Sequence, residues 1–199
     1  MEMPFDTLSD TTDETLLASY AGGDRAAARV LTLRLTPRVL GLATRMLGDR
    51  SEAEDVAQEA MLRLWRFAPQ WREGEAKVST WLYRVASNLC TDRLRRRRSI
   101  GLDDAFGEGN EPEDERPGVL GQMQEAARFE ALRSALADLP ERQQQAVVLR
   151  HFEGLSNPEI AEVMEIGVEA VESLTARGKR ALAARLVGRR AELGLCDDD

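Results

Sequence analysis

The stretch STWLYRVASNLCTDRLRRRR, residues 79–98, repeats its apolar side chains at the spacing of an α-helix. Its apolar positions are Leu82, Val85, Ala86, Leu89, Cys90 and Leu94. At 3.6 residues per turn these fall on one face, and Ser79 or Thr80 can serve as the N-cap. The opposite face is polar throughout, with Arg84, Ser87, Asn88, Thr91, Arg95 and Arg98. The stretch therefore predicts a long amphipathic helix with one buried and one exposed side.

The C-terminal end of this helix is strongly basic, since residues 93–98 read RLRRRR and contain five arginines. Cations at a helix C-terminus complement the helix dipole, but each contributes only a fraction of a kcal/mol there. Five arginines are more than such capping requires. The run is better explained by phosphate binding, because arginine pairs with phosphate oxygens and releases counterions.

Three aromatic residues, Trp71, Trp81 and Tyr83, lie in or beside the loop that precedes the basic helix. Aromatic rings near cations suit single-stranded bases, because a ring replaces the stacking that a base loses on leaving the duplex. Packing in a core is the other fate of such residues. We expect Trp81 to be at least partly buried and the loop to carry more of the strand contact.

A second amphipathic helix is predicted over residues 51–67, where Ser51 and Glu54 have the spacing of a capping box. Its apolar positions are Ala53, Val56, Ala57, Ala60, Met61, Leu64 and Phe67. The opposite face presents Asp55, Gln58, Glu59 and Leu62, with Arg63 and Arg66 beside them. A leucine among exposed polar groups indicates a docking surface. A single exposed leucine is also common on monomers, so a purely solvated face is the alternative.

The C-terminal part of the chain predicts a helix-turn-helix. Ser156 and Glu159 form a second capping box with Pro158 in the first turn, and Gly167 separates this short helix from a longer one at 168–187. In a helix-turn-helix the second helix enters the DNA major groove. An ordinary helical hairpin is the alternative. Glu169 and Glu172 stand at the start of the predicted reading helix, and basic residues follow a turn later.

Similar helical spacing recurs along the chain and predicts an all-α fold of two small helical domains joined by a flexible acidic linker. Further helices are expected at about 13–21, 24–36, 38–47, 121–137 and 141–152, with Pro37 separating the second from the third. Residues 99–118 are rich in Gly, Pro and acid and lack an apolar face, so they are expected not to fold alone. The predicted divisions are an acidic disordered N-terminus at 1–14, a first domain at 15–98, a linker at 99–120, a second domain at 121–190 and an acidic tail at 191–199.

The net charge of −8 is unevenly distributed. The N-terminal segment, the linker and the last three residues are acidic, whereas residues 15–98 carry +7 and residues 121–196 carry −1. A positive field that attracts nucleic acid is therefore expected in the first domain.

Several classes of protein are disfavoured by what the sequence lacks. The acidic N-terminus does not resemble a signal peptide, and no apolar run reaches the length of a membrane span. We therefore expect a cytoplasmic protein without membrane insertion. The two cysteines and the single histidine are too few for a disulfide framework or a zinc site, and no cofactor is expected.

The chain resembles the extracytoplasmic-function (ECF) bacterial sigma factors from about residue 14 to 187. The resemblance lies in the order and spacing of GDRAAARVL (23–31), LGDRSEAEDVAQEAMLRLWR (47–66), residues 79–98 and LPERQQQAVVLRHFEGLSNPEIAEVM (139–164). It implies that 15–98 is sigma region 2 and 121–190 is region 4. It also implies that Asp55, Gln58, Glu59 and Leu62 dock on the β′ clamp helices of core RNA polymerase, and that region 4 sits on the β flap.

The resemblance also assigns DNA contacts. Residues 70–91 are similar to the element that captures an unstacked base of the promoter −10 strand. The predicted −10 contacts are Trp81, Arg84, Asn88, Thr91, Arg95, Arg97 and Arg98. The predicted −35 contacts are Glu172, Ser173, Arg177, Lys179 and Arg180. The chain departs from the family pattern at Glu165, where a turn glycine is frequent, and at Glu172 and Leu174, which are usually basic, so an unusual −35 preference is expected.

These features together predict a transcription initiation factor with no catalytic residues of its own. The expected partners are core RNA polymerase, promoter DNA and an anti-sigma factor. A stand-alone helix-turn-helix regulator would leave the 51–67 and 79–98 helices without a role. A sigma mimic that titrates an anti-sigma protein would tolerate the acidic reading helix. A two-metal nuclease would need converging carboxylates, and the dispersed acids offer no recognisable set.

Overall fold

The computed structural model describes residues 11–72, 77–99 and 119–187, and for 119–127 the backbone alone. Within these residues the chain forms eight α-helices and no strand, which confirms the all-α prediction. The helices are α1 Asp13–Ala21, α2 Arg25–Leu47, α3 Arg50–Phe67, α4 Val78–Ser99, α5 Val119–Ala137, α6 Glu141–His151, α7 Asn157–Met164 and α8 Val168–Val187. A 3-10 turn, Ala68–Gln70, follows α3.

We call α1–α4 the N-terminal half and α5–α8 the C-terminal half. Most of the predicted linker, together with residues 1–10 and 188–199, lies outside the described residues. The ends of the linker are helical, because α4 extends to Ser99 and α5 begins at Val119. The predicted acidic tail at 191–199 lies outside the described residues. Of the N-terminus predicted to be disordered at 1–14, residues 11–14 are described, and Thr12 caps α1, which begins at Asp13.

Helix α2 corrects the expectation that Pro37 separates two helices, because it runs without a break through that residue. Proline removes one backbone hydrogen bond and crowds the preceding turn, at a cost of about 3 kcal/mol. Pro37 itself is exposed, whereas Leu35 and Val39 on either side of it are buried. Burying apolar side chains of this size contributes about 1.5–3 kcal/mol each. Packing on both sides of Pro37 thus offsets its cost.

The start of α3 corrects the predicted capping box of Ser51 and Glu54. Asp49 is the N-cap, and its Oδ1 accepts a hydrogen bond from the Glu52 amide over 2.8 Å. Glu54 instead forms an ion pair with Arg50 one turn earlier. A carboxylate at this position satisfies a free amide and also complements the positive helix terminus, which favours the aspartate over the serine.

The start of α4 also differs from the predicted Ser79 or Thr80 cap. The helix begins at Val78, and Thr80 is buried inside it. The Val78 amide donates to Glu14 Oε1 over 3.0 Å. Because Glu14 belongs to α1, this terminus is satisfied by a tertiary contact that local sequence does not reveal.

The helix-turn-helix is formed by α7, the turn Glu165–Gly167 and α8, and the predicted ends of both helices are confirmed. The capping box of Ser156 and Glu159 is present with both of its hydrogen bonds. Glu165 ends α7 in the left-handed region at φ 53°, a conformation that glycine adopts more readily. At this turn position, where the family frequently has glycine, the chain therefore has a glutamate in a strained backbone conformation.

Each half is organised around one central helix. In the N-terminal half α2 packs against α1, α3 and α4, and in the C-terminal half α8 packs against α5, α6 and α7. The close approach of α8 to α6 depends on Gly178, where an added Cβ would lie 2.6 Å from Val147 Cγ2 and 3.0 Å from the Gln143 carbonyl oxygen.

The two halves also pack against each other, which the sequence did not predict. Helix α4 contacts α7, and α2 contacts α5 and α6. A single cluster of buried apolar residues extends through both halves. The surface that joins the halves is therefore continuous with their interiors.

Among the described residues, no helix is both long and apolar enough to cross a membrane. In the same part of the chain, no three or more His, Cys, Asp or Glu side chains are grouped so that they could hold a metal ion. Cys90 is buried, and its burial raises the pKa of the thiol to about 12.

Candidate functional site

The exposed face of α3 contains the four residues predicted to bind polymerase. Gln58 is exposed, and Leu62 keeps 42% of its surface in water although the opposite side of the helix is buried. Asp55 Oδ2 lies 3.5 Å from Arg93 Nη1. Arg63 donates to Glu59 over 2.8 Å, and this hydrogen bond lowers the pKa of the Glu59 carboxyl. The structure therefore brings these side chains together on one accessible, largely acidic stripe.

The polar face of α4 is more heterogeneous than predicted. Asn88 is exposed and Thr91 half-buried, but Ser87, predicted on the exposed polar face, is fully buried. Trp81 is partly buried, as expected, because its ring stacks on Phe67 with centroids 5.1 Å apart and planes at 5°. Trp71 forms a T-shaped contact with Phe67, with ring centroids 6.0 Å apart. Helix α3 thus positions both tryptophans, through Phe67 at its last residue.

Four of the five arginines at the end of α4 divide into two groups. Arg93 and Arg97 turn back to the fold: Arg93 donates to the Glu52 carbonyl, and Arg97 bonds both Glu52 Oε1 and the Leu47 carbonyl oxygen. Arg95 and Arg98 face outward with more than half of each side chain exposed. The predicted DNA contact of Arg97 remains a prediction, and its bonds give this residue a structural role as well.

The predicted reading helix α8 exposes Glu172, Ser173, Arg177, Lys179 and Arg180. Its buried positions are Val171 and Gly178. Glu172, which departs from the family pattern, accepts a hydrogen bond from Asn157 Nδ2 of α7 over 3.3 Å. Its carboxylate is therefore positioned by a contact within the helix-turn-helix. Arg177 and Arg180 each donate back to a carbonyl of their own helix.

Sequence reasoning missed a set of contacts between the C-terminal half and the basic surface of α4. The C-terminal half contributes four carboxylates to these contacts, those of Glu141, Glu153, Glu159 and Glu165. The ion pairs on this surface are Lys77–Glu159 at 2.7 Å, Arg84–Glu165 at 3.7 Å, Arg98–Glu141 at 3.2 Å and Arg95–Glu141 at 4.0 Å. The only signal in the sequence was the contrast between +7 in residues 15–98 and −1 in residues 121–196.

Comparison with known proteins identifies both halves. The family model described as Sigma-70 region 2 matches residues 31–100, and that of Sigma-70, region 4 matches residues 129–182. RNA polymerase sigma-H factor of Pseudomonas aeruginosa is 34% identical over 186 residues, which cover 88% of this chain and 94% of the relative. ECF RNA polymerase sigma factor SigW of Bacillus subtilis is 32% identical over 171 residues, covering 82% and 91%.

Solved structures agree with these relationships. CnrH, solved in complex with the cytosolic domain of CnrY, has a TM-score of 0.65 and 26% identity, covering 88% of this chain and 97% of that one. The sigma factor RpoE of Bartonella quintana, solved with the anti-sigma factor NepR, has a TM-score of 0.64 and covers 79% and 95%. At 21% identity it shares the fold. The two predicted sigma regions are thus confirmed, and the chain belongs to the ECF family of RNA polymerase sigma factors.

Proposed function

We propose that this chain is a cytoplasmic transcription initiation factor that binds core RNA polymerase, directs it to specific promoters and promotes DNA opening. The observation that carries the proposal is the accessible stripe of Asp55, Gln58, Glu59 and Leu62 on a helix whose other side is buried. A half-exposed leucine bordered by hydrogen-bonding groups supplies apolar area and orientation together. In this proposal the stripe docks on the β′ clamp helices, and the C-terminal half sits on the β flap.

The −10 element is read from α4. Asn88 is exposed between outward-facing arginines and can hydrogen-bond the edge of an unstacked base, while Thr91 lies one turn away. Capturing such a base offsets the cost of unstacking it. Arg84, Arg95 and Arg98 supply positive charge for the phosphates on either side. Trp81, whose ring stacks on Phe67, supplies an aromatic surface for a base of this strand.

The −35 element is read from α8 in the major groove. Arg177, Lys179 and Arg180 provide donors for guanine and phosphate, and Ser173 lies on the same exposed surface. Glu172 can accept a hydrogen bond from the exocyclic amine of cytosine. Its bond to Asn157 orients the carboxylate, which supports a preference for cytosine at one position of the element.

An anti-sigma factor is the proposed regulator, as the family implies. The related CnrH is a complex with the cytosolic domain of CnrY in its solved structure, so a closely similar fold offers a surface to a second protein. For this chain, such a partner would hold the factor inactive by covering its polymerase and promoter surfaces.

The proposal is tested by selecting DNA fragments from a random duplex library with the chain and core polymerase together. We expect enriched fragments to share two conserved blocks, one near −35 and one near −10. Core alone and the chain alone should enrich neither. Glu172→Gln should change the preferred base at one upstream position and leave the −10 block unchanged. A chain that binds core but selects no common sequence would contradict promoter recognition and favour a titrating mimic.

A further inference from the structure

Two arginines of α4 bond the first turn of α3. Arg93 Nη1 donates to the Glu52 carbonyl oxygen over 3.2 Å, and Arg97 Nη2 lies 2.8 Å from Oε1 of the same residue. Arg97 also donates to the Leu47 carbonyl oxygen at the end of α2. Because Arg93 and Arg97 are four residues apart, they lie on one face of α4, one turn from each other. The start of α3 is therefore bonded to two successive turns of α4.

The guanidinium of Arg93 has a second acceptor, the carboxylate of Asp55. Arg93 Nη1 lies 3.5 Å from Asp55 Oδ2. Asp55 belongs to the exposed polar face of α3, and we call Asp55, Gln58, Glu59 and Leu62 the docking stripe. The Arg93 side chain is 29% exposed, whereas that of Asp55 is 63% exposed. The arginine thus contacts Asp55 from the protein side and leaves the carboxylate accessible to a partner.

Two other ion pairs of α3 are local to that helix. Glu59 pairs with Arg63, and Glu54 pairs with Arg50, each at a spacing of four residues. Exposed pairs of this kind contribute little, because holding two long side chains in one geometry costs conformational entropy. Arg93 differs, since its bond to a backbone carbonyl already fixes the guanidinium. Its contact with Asp55 therefore costs less entropy and orients the carboxylate more firmly.

The arrangement leaves Asp55 able to bind a second donor. A carboxylate has two oxygens and can accept hydrogen bonds from two donors at once. Arg93 contacts Oδ2, so Oδ1 remains for a donor of a bound protein. A side chain that already has its bound orientation loses less conformational entropy on binding. Asp55 can therefore gain a partner without giving up Arg93.

We propose that Arg93 is a positioning residue of the polymerase-docking surface, which orients the Asp55 carboxylate toward a hydrogen-bond donor of core polymerase. The proposal rests on the function proposed above, because it requires the docking stripe to bind polymerase. Arg93 then differs in role from Arg95 and Arg98, whose outward-facing side chains are assigned to promoter phosphates. The arginine run thus serves two partners, and the direction of each side chain determines which one.

A double-mutant cycle between Arg93 and Asp55 tests this role, with the affinity of the full chain for core polymerase as the readout. Fluorescence competition measures the affinity. Arg93→Ala should weaken core binding by about threefold to fivefold, near the upper end for an exposed ion pair. In an Asp55→Ala chain, the same substitution should change the affinity by less than about 1.5-fold, because no carboxylate is left to orient.

Arg50→Ala is the matched control. It removes the same charge from an ion pair with Glu54, which lies beside Asp55 in the sequence but outside the docking stripe. Core affinity should stay within about 1.5-fold in both backgrounds. Arg93→Lys should recover part of the loss, since lysine keeps the charge but lacks the planar fork that reaches two acceptors.

Circular dichroism shows whether each variant keeps its helical content. If Arg93→Ala lowers it, Arg93→Gln takes its place in the cycle, because a glutamine amide can still donate to the Glu52 carbonyl while the charge beside Asp55 is gone. The same fold-changes are expected, since the orienting cation is absent in both variants.

Equal losses from Arg93→Ala in the Asp55 and Asp55→Ala chains would overturn the proposal, because Arg93 would then act independently of Asp55. An unchanged affinity in the Asp55 chain, or an equal loss from Arg50→Ala, would overturn it as well. In these cases a loss from Asp55→Ala itself would leave polymerase docking intact. Failure of the proposed docking would look different: Asp55→Ala alone would not weaken core binding, and both the stripe and the positioning role would be contradicted.

Discussion

The hydroxyl of Tyr83 donates to Glu153 Oε2 over 2.7 Å and thereby joins α4 to the loop that follows α6. Tyr83 is buried, and the same carboxylate pairs with Arg45. Burial, together with this hydrogen bond, raises the pKa of the Tyr83 phenol above its usual range. The helix proposed to read the −10 element is thus fastened to the opposite half through a residue within its own first turns.

Tyr83→Phe should reduce the free energy of unfolding by about 1–3 kcal/mol, because it leaves a buried carboxylate short of one donor. Urea unfolding at pH 7 measures the change. Tyr20→Phe is the matched control, since its ring packs on Trp65 and its hydroxyl makes no hydrogen bond among the described residues. Equal losses in both variants would contradict the importance of the cross-half bond.

The same tyrosine predicts a dependence on alkaline pH. A phenol whose folded-state pKa is raised contributes stability that is fully present below the unfolded value of 10.0 and is lost as pH rises beyond it. Unfolding free energy should therefore fall above about pH 10, and it should fall less steeply in Tyr83→Phe. Parallel curves for the two chains would be inconsistent with this assignment.

Gly178→Ala should destabilise the C-terminal half by about 1–3 kcal/mol, because the new methyl group would overlap Val147 and the Gln143 carbonyl. Gly167→Ala has open space around it and should cost about 0.5 kcal/mol as a change at the start of α8. Thermal unfolding followed by circular dichroism compares them. Similar melting temperatures would show that α6 and α8 can move apart.

The helices were largely predictable because each carries a strong apolar period of its own. The ends of α7 and α8 follow from local signals: a capping box at Ser156 and a turn at Gly167. Two errors arose where a distant contact decided the outcome. Packing of Leu35 and Val39 carries α2 through Pro37, and Glu14 of α1 satisfies the start of α4.

The candidate surfaces were predictable only in part, for a related reason. Helical spacing places Gln58, Leu62 and Asn88 on exposed faces, which the structure agrees with. Spacing does not distinguish Arg95 and Arg98, which face outward, from Arg97, which bonds Glu52 and the end of α2. The contact between the halves depends on pairs more than 40 residues apart, such as Arg98 and Glu141, and no local pattern encodes it.

Leu62→Ala should weaken binding to core polymerase by about fivefold to thirtyfold, the range expected for truncating an apolar residue at the centre of an interface. Leu33→Ala is the matched control, because Leu33 is 61% exposed on α2 and lies outside the proposed docking stripe. Asp55→Ala with Gln58→Ala should also weaken binding while helical content is retained. A fluorescence competition assay with core measures all three. An unchanged affinity for Leu62→Ala and the double variant would remove α3 from the polymerase interface.

Arg95→Ala with Arg98→Ala should flatten the salt dependence of promoter-complex affinity by about 1.5 units of log-log slope, since each lost phosphate contact removes about 0.7–0.9 units. Arg97→Ala should in addition lower the stability of the chain, because its bonds to Glu52 and Leu47 are lost.

The effect of Arg177→Ala should instead depend on the −35 sequence, because base contacts determine sequence specificity whereas phosphate contacts only position the protein on DNA. Filter binding across a salt series, on two promoters that differ at −35, distinguishes these cases.

Promoter opening is most directly measured by permanganate footprinting of a selected promoter with core polymerase, in the presence and absence of the chain. Thymines near the start site should become reactive only when the chain is present. Asn88→Ala should lose this reactivity while closed-complex binding survives, because Asn88 is the proposed partner of the flipped −10 base. Unreactive thymines with the unsubstituted chain, on a promoter that it binds together with core, would contradict its role in opening DNA.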